Sequence, residues 1–137
     1  MLNGGDGGDV FLVDSQSGFD RFDGGIGANS ILAAANNALI GIASISNIQE
    51  VSGNGFANAR IVTASGPGTY DFSAVSLIDI AGIQVGDGGQ TIIAAAGDDV
   101  ITGGANDNNI TGGGGSNTLN GGEGDDTFIV TGGGVNL

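Results

Sequence analysis

The 137-residue sequence has no cysteine, no histidine and no lysine, and only two arginines. The missing cysteines exclude a disulfide framework and thiolate chemistry. The lack of basic residues argues against nucleic acid and anionic membranes as partners, because both bind through Lys and Arg. The sequence has fifteen Asp and Glu residues, which with the two arginines give a net charge of −13. This balance is typical of a cation-binding or strongly solvated extracellular surface.

Long apolar runs and proline are also scarce. No run approaches the roughly 18 apolar residues of a membrane helix, so we expect no membrane insertion. The N-terminus, MLNGGDGGDV, lacks the charged and apolar parts of a secretory signal. A single proline among thirty glycines excludes collagen. The apolar residues make up 39% of the chain and are periodic, which predicts order rather than disorder.

The glycines are concentrated in a repeat of nine residues. Residues 85–129 divide into VGDGGQTII, AAAGDDVIT, GGANDNNIT, GGGGSNTLN and GGEGDDTFI. The eighth place of each nonamer is a large apolar residue, namely Ile92, Ile101, Ile110, Leu119 and Phe128. The last nonamer fits G-G-x-G-x-D-x-U-x throughout, where U is a large apolar residue. The same pattern occurs at 4–12 and, with Asn in place of Asp, at 24–32.

These nonamers resemble the RTX (haemolysin-type calcium-binding) repeat, a parallel β-helix signature. The resemblance covers a third to a half of the chain. In each nonamer a three-residue strand buries its central side chain, and six glycine-rich residues reverse the chain. Two nonamers then form one coil, so Ile92, Ile110 and Phe128 should stack on one sheet, and Ile101 and Leu119 on the other. We therefore predict an all-β, right-handed parallel β-solenoid.

The remaining residues are less regular, but we expect one domain over 1–137. It comprises RTX-like opening turns (2–32), irregular apolar rungs (33–84), a regular β-roll (85–129) and a tail (130–137). The two opening turns are twenty residues apart rather than eighteen, which indicates a longer turn. Short β-branched runs predict strands at 39–42, 45–51, 60–63, 70–72 and 77–83. The Ala-rich segment 33–43 has helical propensity, but Asn36, Asn37 and Gly41 favour wide rungs.

The resemblance also implies calcium sites. In RTX repeats the sixth-place Asp lines up with its counterpart one coil away, and backbone carbonyls complete an oxygen shell that suits Ca²⁺. The corresponding pairs are Asp9 with Asn29, Asp99 with Asn117, and Asn108 with Asp126, with backbone carbonyls of Gly97, Gly103, Gly112, Gly121 and Gly124 as further ligands. A fourth pair, Gln90 with Asn108, has no carboxylate. Because Asn is uncharged, these sites should be fewer and weaker than in an all-Asp block. The neighbouring acids Asp98, Asp107, Glu123 and Asp125 should face solvent.

Two readings without metal are open at the sixth place. Asn and Asp tolerate the left-handed conformations of turns, and stacked Asn can form amide ladders. Catalysis has little support: the acid pairs Asp98–Asp99 and Asp125–Asp126 lie at turns where adjacent side chains diverge. Arg21 and Arg60 are isolated, and no Lys and helix follow the glycines as in a phosphate loop. We expect no enzyme activity.

The sequence thus favours a non-catalytic, extracellular, calcium-binding structural module, either a segment of a large adhesin or surface-layer protein or a self-assembling subunit. Residues 2–13 and 119–130 are identical at eight of twelve places, so open solenoid ends could stack in a homo-assembly. The alternative is a calcium-triggered secretion and folding appendage of an exported polysaccharide epimerase, lipase or protease. Ranks of outward Thr and Asn also resemble ice-binding faces. The resemblance implies export by a type I route, with a signal outside these residues.

Overall fold

The computed structural model describes residues 1–14 and 18–130. All regular elements in these residues are β-strands, and no helix occurs among them. Parallel sheets form a β-solenoid, which confirms the fold class predicted from the nonamers. Except for Val130, the predicted tail lies outside the described residues.

Fifteen strands occur in the described residues: β1 (Leu2–Asn3), β2 (Val10–Val13), β3 (Asp20–Asp23), β4 (Ser30–Ala33), β5 (Leu39–Ser46), β6 (Glu50–Ser52), β7 (Ala59–Thr63), β8 (Thr69–Asp71), β9 (Ser76–Ile78), β10 (Ile80–Gln84), β11 (Thr91–Ile93), β12 (Val100–Thr102), β13 (Asn109–Thr111), β14 (Thr118–Asn120) and β15 (Thr127–Ile129). Most are three to five residues long, as expected when each strand buries one or two side chains before the chain turns.

The chain divides into two compact units, and the prediction of a single domain stays a prediction. The first unit contains Met1–Val62 and Val75–Ala81. Its strands lie in the orders β1-β3-β5-β7 and β2-β4-β6-β9. The second sheet stacks Phe11, Ile31, Val51 and Leu77 in register. Phe11 meets Phe22 of β3 edge to face, with ring centroids 5.5 Å apart. One apolar file from each sheet therefore forms the core of this unit.

The second unit contains Thr63–Ala74 and Gly82–Leu137, and it includes the regular nonamers. Its sheets have the orders β10-β12-β14 and β8-β11-β13-β15. Ile92 pairs with Ile110, and Ile110 with Phe128, while Ile101 pairs with Leu119. Both predicted stacks are thus confirmed, each with a step of eighteen residues. Ile92, Ile101 and Ile110 are fully buried, because each lies between coils on both sides.

The coils of the irregular segment are wider, as predicted. β4 pairs with β6 at a step of twenty residues (Ile31 with Val51), and β6 with β9 at twenty-six (Val51 with Leu77). The helical reading of 33–43 is wrong, since β5 begins at Leu39.

Two predicted strands of this segment are each divided. The predicted strand 45–51 is interrupted after Ser46, where Asn47 takes a left-handed conformation (φ 54°). The predicted strand 77–83 is interrupted at Asp79 (φ 55°). Residues that favour turns override the β-branched pattern there.

Candidate metal sites at the stacked turns

The sixth-place residues lie in the turns that precede the strands, and they stack from coil to coil. The structure brings together all four pairs named from the sequence. In each pair, the side-chain oxygen of the later residue accepts a hydrogen bond from the backbone N–H of the earlier one. The bonds are Asp9 to Asn29 (2.9 Å), Gln90 to Asn108 (3.0 Å), Asp99 to Asn117 (2.9 Å) and Asn108 to Asp126 (2.8 Å).

Most of these residues are also buried, and Asp9 and Asp126 are half-buried. Asn29, Asn108 and Asn117 are at most 2% exposed, and Asp99 is 7% exposed. Buried polar groups are costly unless they are hydrogen-bonded. Each hydrogen bond from a backbone N–H to an Oδ1 of the next coil therefore satisfies two polar groups, the N–H of the turn and the side-chain oxygen. This ladder ties the turns together as the strand ladders tie the sheets.

The amide nitrogens of the asparagines face the backbone carbonyls of the turns. Asn108 Nδ2 donates to Asn106 (2.8 Å) and Gly121 (3.3 Å), Asn117 Nδ2 to Gly112 (2.6 Å) and Gly114 (3.0 Å), and Asn29 Nδ2 to Gly27 (3.4 Å) and Asn47 (3.0 Å). Two of the carbonyls predicted as calcium ligands, those of Gly112 and Gly121, therefore accept a hydrogen bond from an asparagine.

The sixth-place aspartates Asp9 and Asp99 differ from these asparagines in their hydrogen bonding. The Oδ2 atoms of Asp9 and Asp99 are buried, and neither has a hydrogen-bond partner in the described part of the chain. A buried carboxylate oxygen without a donor is a costly arrangement. Burial raises the pKa of Asp99 to about 6, an effect that the backbone amide of Ala95 opposes and the carboxylate of Asp98 reinforces. A bound cation would supply the missing positive partner, so these residues fit a metal.

First-place glycines make room for the sixth-place side chains. A Cβ at Gly4 would meet the carboxylate of Asp9, and one at Gly121 would meet that of Asp126. Asp99 differs, since Ala94 occupies the first place of its nonamer. Between coils the turns touch backbone to backbone: a Cβ at Gly103 would meet the carbonyl of Gly121. The glycines are therefore required for stacking as well as for turning.

A second ladder runs along the turns in the opposite direction. The carboxylates of Asp87, Asp98 and Asp107 accept hydrogen bonds from the backbone N–H of Ala105 (2.9 Å), Ser116 (2.8 Å) and Asp125 (2.9 Å), each eighteen residues later. The predicted exposure of Asp98, Asp107, Glu123 and Asp125 is confirmed. Sequence reasoning missed that exposed acids also join coils. The recurrence of Asp at the same distance before a turn amide is the signal that could have found them.

Two explanations without metal were open for the sixth-place residues: left-handed turn geometry and stacked amide ladders. In the described ranges the non-glycine residues with positive φ are Asn37, Asn47, Asn54, Asn58, Asp79 and Asn106. None of them is a sixth-place residue of a nonamer, so left-handed geometry does not explain that column. An amide-to-amide bond does occur, from Asn58 to Asn37 (3.2 Å), but it lies in the irregular segment.

No group of three or more carboxylates that could hold a metal is found in the described residues. A cation at Asp9, Asp99 or Asp126 would therefore depend mainly on neutral carbonyl oxygens from the turns. Such a shell is within the chemistry of Ca²⁺, but fewer charged ligands lower the affinity.

The family comparison supports this interpretation for the second unit. The family model for the RTX calcium-binding nonapeptide repeat matches four copies within residues 85–119 and 102–134. These residues are RTX repeats. No curated protein and no solved structure gave a match. The RTX repeats and the β-solenoid together support a calcium-binding structural module. The identity of the ion, calcium, is inferred from the family. The described residues contain no helix long and apolar enough to cross a membrane.

Proposed function

We propose that this chain is a non-catalytic, extracellular structural module that binds Ca²⁺ at the turns whose sixth-place residue is Asp. The observation that carries the proposal is the buried, unpartnered Oδ2 of Asp99, in a turn of the RTX repeats. Asp9 has the same unpartnered oxygen in the opening turn. Asp126, half-buried, completes the set and accepts from Asn108 through Oδ1.

Calcium titration of chelator-treated protein by isothermal calorimetry tests this proposal. The Asp99→Asn variant should lose one bound ion, because the amide has neither the charge nor the second acceptor oxygen. Asp98→Asn is the matched control: it removes the same charge from the adjacent, exposed position and keeps an oxygen for the amide of Ser116. Wild-type protein that binds no calcium, or equal losses in the two variants, would refute the assignment.

The extracellular setting is supported by the occurrence of RTX repeats in secreted proteins. A net charge of −13 also fits it, because calcium would relieve carboxylate repulsion where that ion is abundant. The same features fit a secretion and folding appendage of an exported enzyme. A catalytic domain within the same polypeptide would favour the appendage, and folding that requires calcium would support it further.

Stacking of one copy on another is a second candidate. Phe128 holds the eighth, core-facing place of its nonamer but is 44% exposed, and Leu2 of β1 is 39% exposed. The rungs 2–13 and 119–130 have nearly the same sequence, so one could continue the ladder of the other, as in an adhesin or a surface layer. Sedimentation velocity across a concentration series should show association that Phe128→Ser weakens. A monomer at every concentration would contradict it.

A further inference from the structure

The three buried asparagines at sixth places share one geometry. Each Oδ1 accepts from the backbone N–H of the preceding coil, at 2.9–3.0 Å. This bond fixes the orientation of the amide, because only the oxygen can accept from N–H. The NH₂ group must then point to the other side, where turn carbonyls converge.

On that side, the NH₂ group interacts with carbonyl oxygens, as a bound cation would. Each NH₂ group contacts two carbonyl oxygens: those of Asn106 and Gly121 for Asn108, and those of Gly112 and Gly114 for Asn117. Two N–H hydrogens thus satisfy two acceptors that would otherwise face a buried oxygen. The asparagine turns have their polar groups paired without any ion.

Asp99 provides the comparison within the same structure. It stands eighteen residues before Asn117 and occupies the same place in its turn, but its Oδ2 has no hydrogen to donate. That atom is buried and unpartnered, whereas Asn117 Nδ2 makes bonds of 2.6 and 3.0 Å. At the sixth place itself, the two side chains differ only in the carboxylate oxygen of Asp99 and the amide nitrogen of Asn117.

We propose that the side-chain amides of Asn29, Asn108 and Asn117 act as built-in substitutes for the cation, so that the sixth-place residue decides whether a turn takes calcium. Turns with Asn are closed to the ion and hold together without it; turns with Asp need it. The calcium half of this inference rests on the proposed function, but the amide half does not. The module should therefore retain much of its β-structure in chelator.

Asn117→Asp and Asn108→Asp test the inference. In excess chelator, urea unfolding followed by circular dichroism should show the equilibrium constant for folding reduced about 10- to 100-fold per substitution. Each variant loses two donated bonds and gains a buried, unpaired carboxylate oxygen. Calcium should reverse the loss, and calorimetry should show one more bound ion than in the wild type. Asn109→Asp is the matched control, because it adds the same charge at an exposed neighbouring position.

The outcomes separate this inference from the proposed function. If Asn117→Asp is as stable in chelator as Asn109→Asp, the amide is not a cation substitute and the inference is overturned. If the chelator effect appears but no variant binds calcium, the amide role stands and the calcium assignment fails. If Asn117→Asp fails to fold under both conditions, wild-type stoichiometry decides: the inference predicts no more than three ions, one each for Asp9, Asp99 and Asp126, and more would overturn it.

Discussion

Replacing Asp99 by Asn should stabilise the calcium-free protein at neutral pH, although it removes a predicted calcium ligand. Burial raises the pKa of Asp99 to about 6, against 3.8 in its absence. We therefore expect an ionised Asp99 at pH 7 to destabilise the folded state by about 1–3 kcal/mol, since each pH unit is worth about 1.4 kcal/mol before solvent screening. Asn removes this cost, because its amide carries no charge. We expect Asp99→Asn to be more stable than wild type by about 1–3 kcal/mol in chelator.

The raised pKa of Asp99 determines the direction in which stability should change with pH. Because the folded-state pKa is the higher one, the folded protein binds more protons between pH 3.8 and about 6. The wild type should lose stability as the pH rises through this window, and the loss should be complete above it. Asp23 and Asp71 work in the opposite direction, since hydrogen bonds from Asn47 and Ser73 lower their pKa values. They are present in both proteins, so they cancel in the difference.

Urea unfolding in chelator at several pH values between 4 and 7.5 measures the effect. The stability difference between Asp99→Asn and wild type should be small at pH 4 and largest near pH 7. In saturating calcium the order should reverse, because only the wild type gains binding free energy. A variant that is less stable than wild type at pH 7 in chelator, or a difference that does not change with pH, would refute the reasoning.

Two further pairs of substitutions test the stacking. Gly103→Ala should destabilise the protein by at least about 1–3 kcal/mol, because the new Cβ would meet the carbonyl of Gly121; Gly97→Ala, with open space around it, should be neutral or slightly stabilising in the same urea experiment. Equal effects of the two would contradict the backbone contact between coils. Ile110→Ala should cost about 2–5 kcal/mol, since Ile110 is fully buried between two coils. Ile129→Ala, at 41% exposure, should cost much less, and a thermal melt that ranks them the other way would show that the core does not follow the eighth-place file.

The sequence predicted the parts of the fold that depend on period. Spacing of nine fixed the register of Ile92, Ile110 and Phe128, since alternate side chains of a short strand face opposite sides. It also named the sixth-place pairs, because stacked coils bring together residues one coil apart. The irregular segment was less predictable, since Asn47 and Asp79 end strands through a left-handed backbone that the β-branched pattern does not reveal.

The chemistry at the turns could not be read from spacing, because it depends on which atom of a side chain points where. Asn and Asp have nearly the same shape, so Asn at an Asp position of the motif is interpreted as a weaker metal ligand. In the structure, their side chains make different contacts. Asn108 donates to two carbonyls of the turns, whereas the Oδ2 of Asp99 has no hydrogen to donate and no partner. If the side-chain amide substitutes for the cation, a chain with both residues at its sixth places combines turns that are complete without an ion with turns that need one. The number of aspartates at these places would then set how much of the folding free energy depends on calcium.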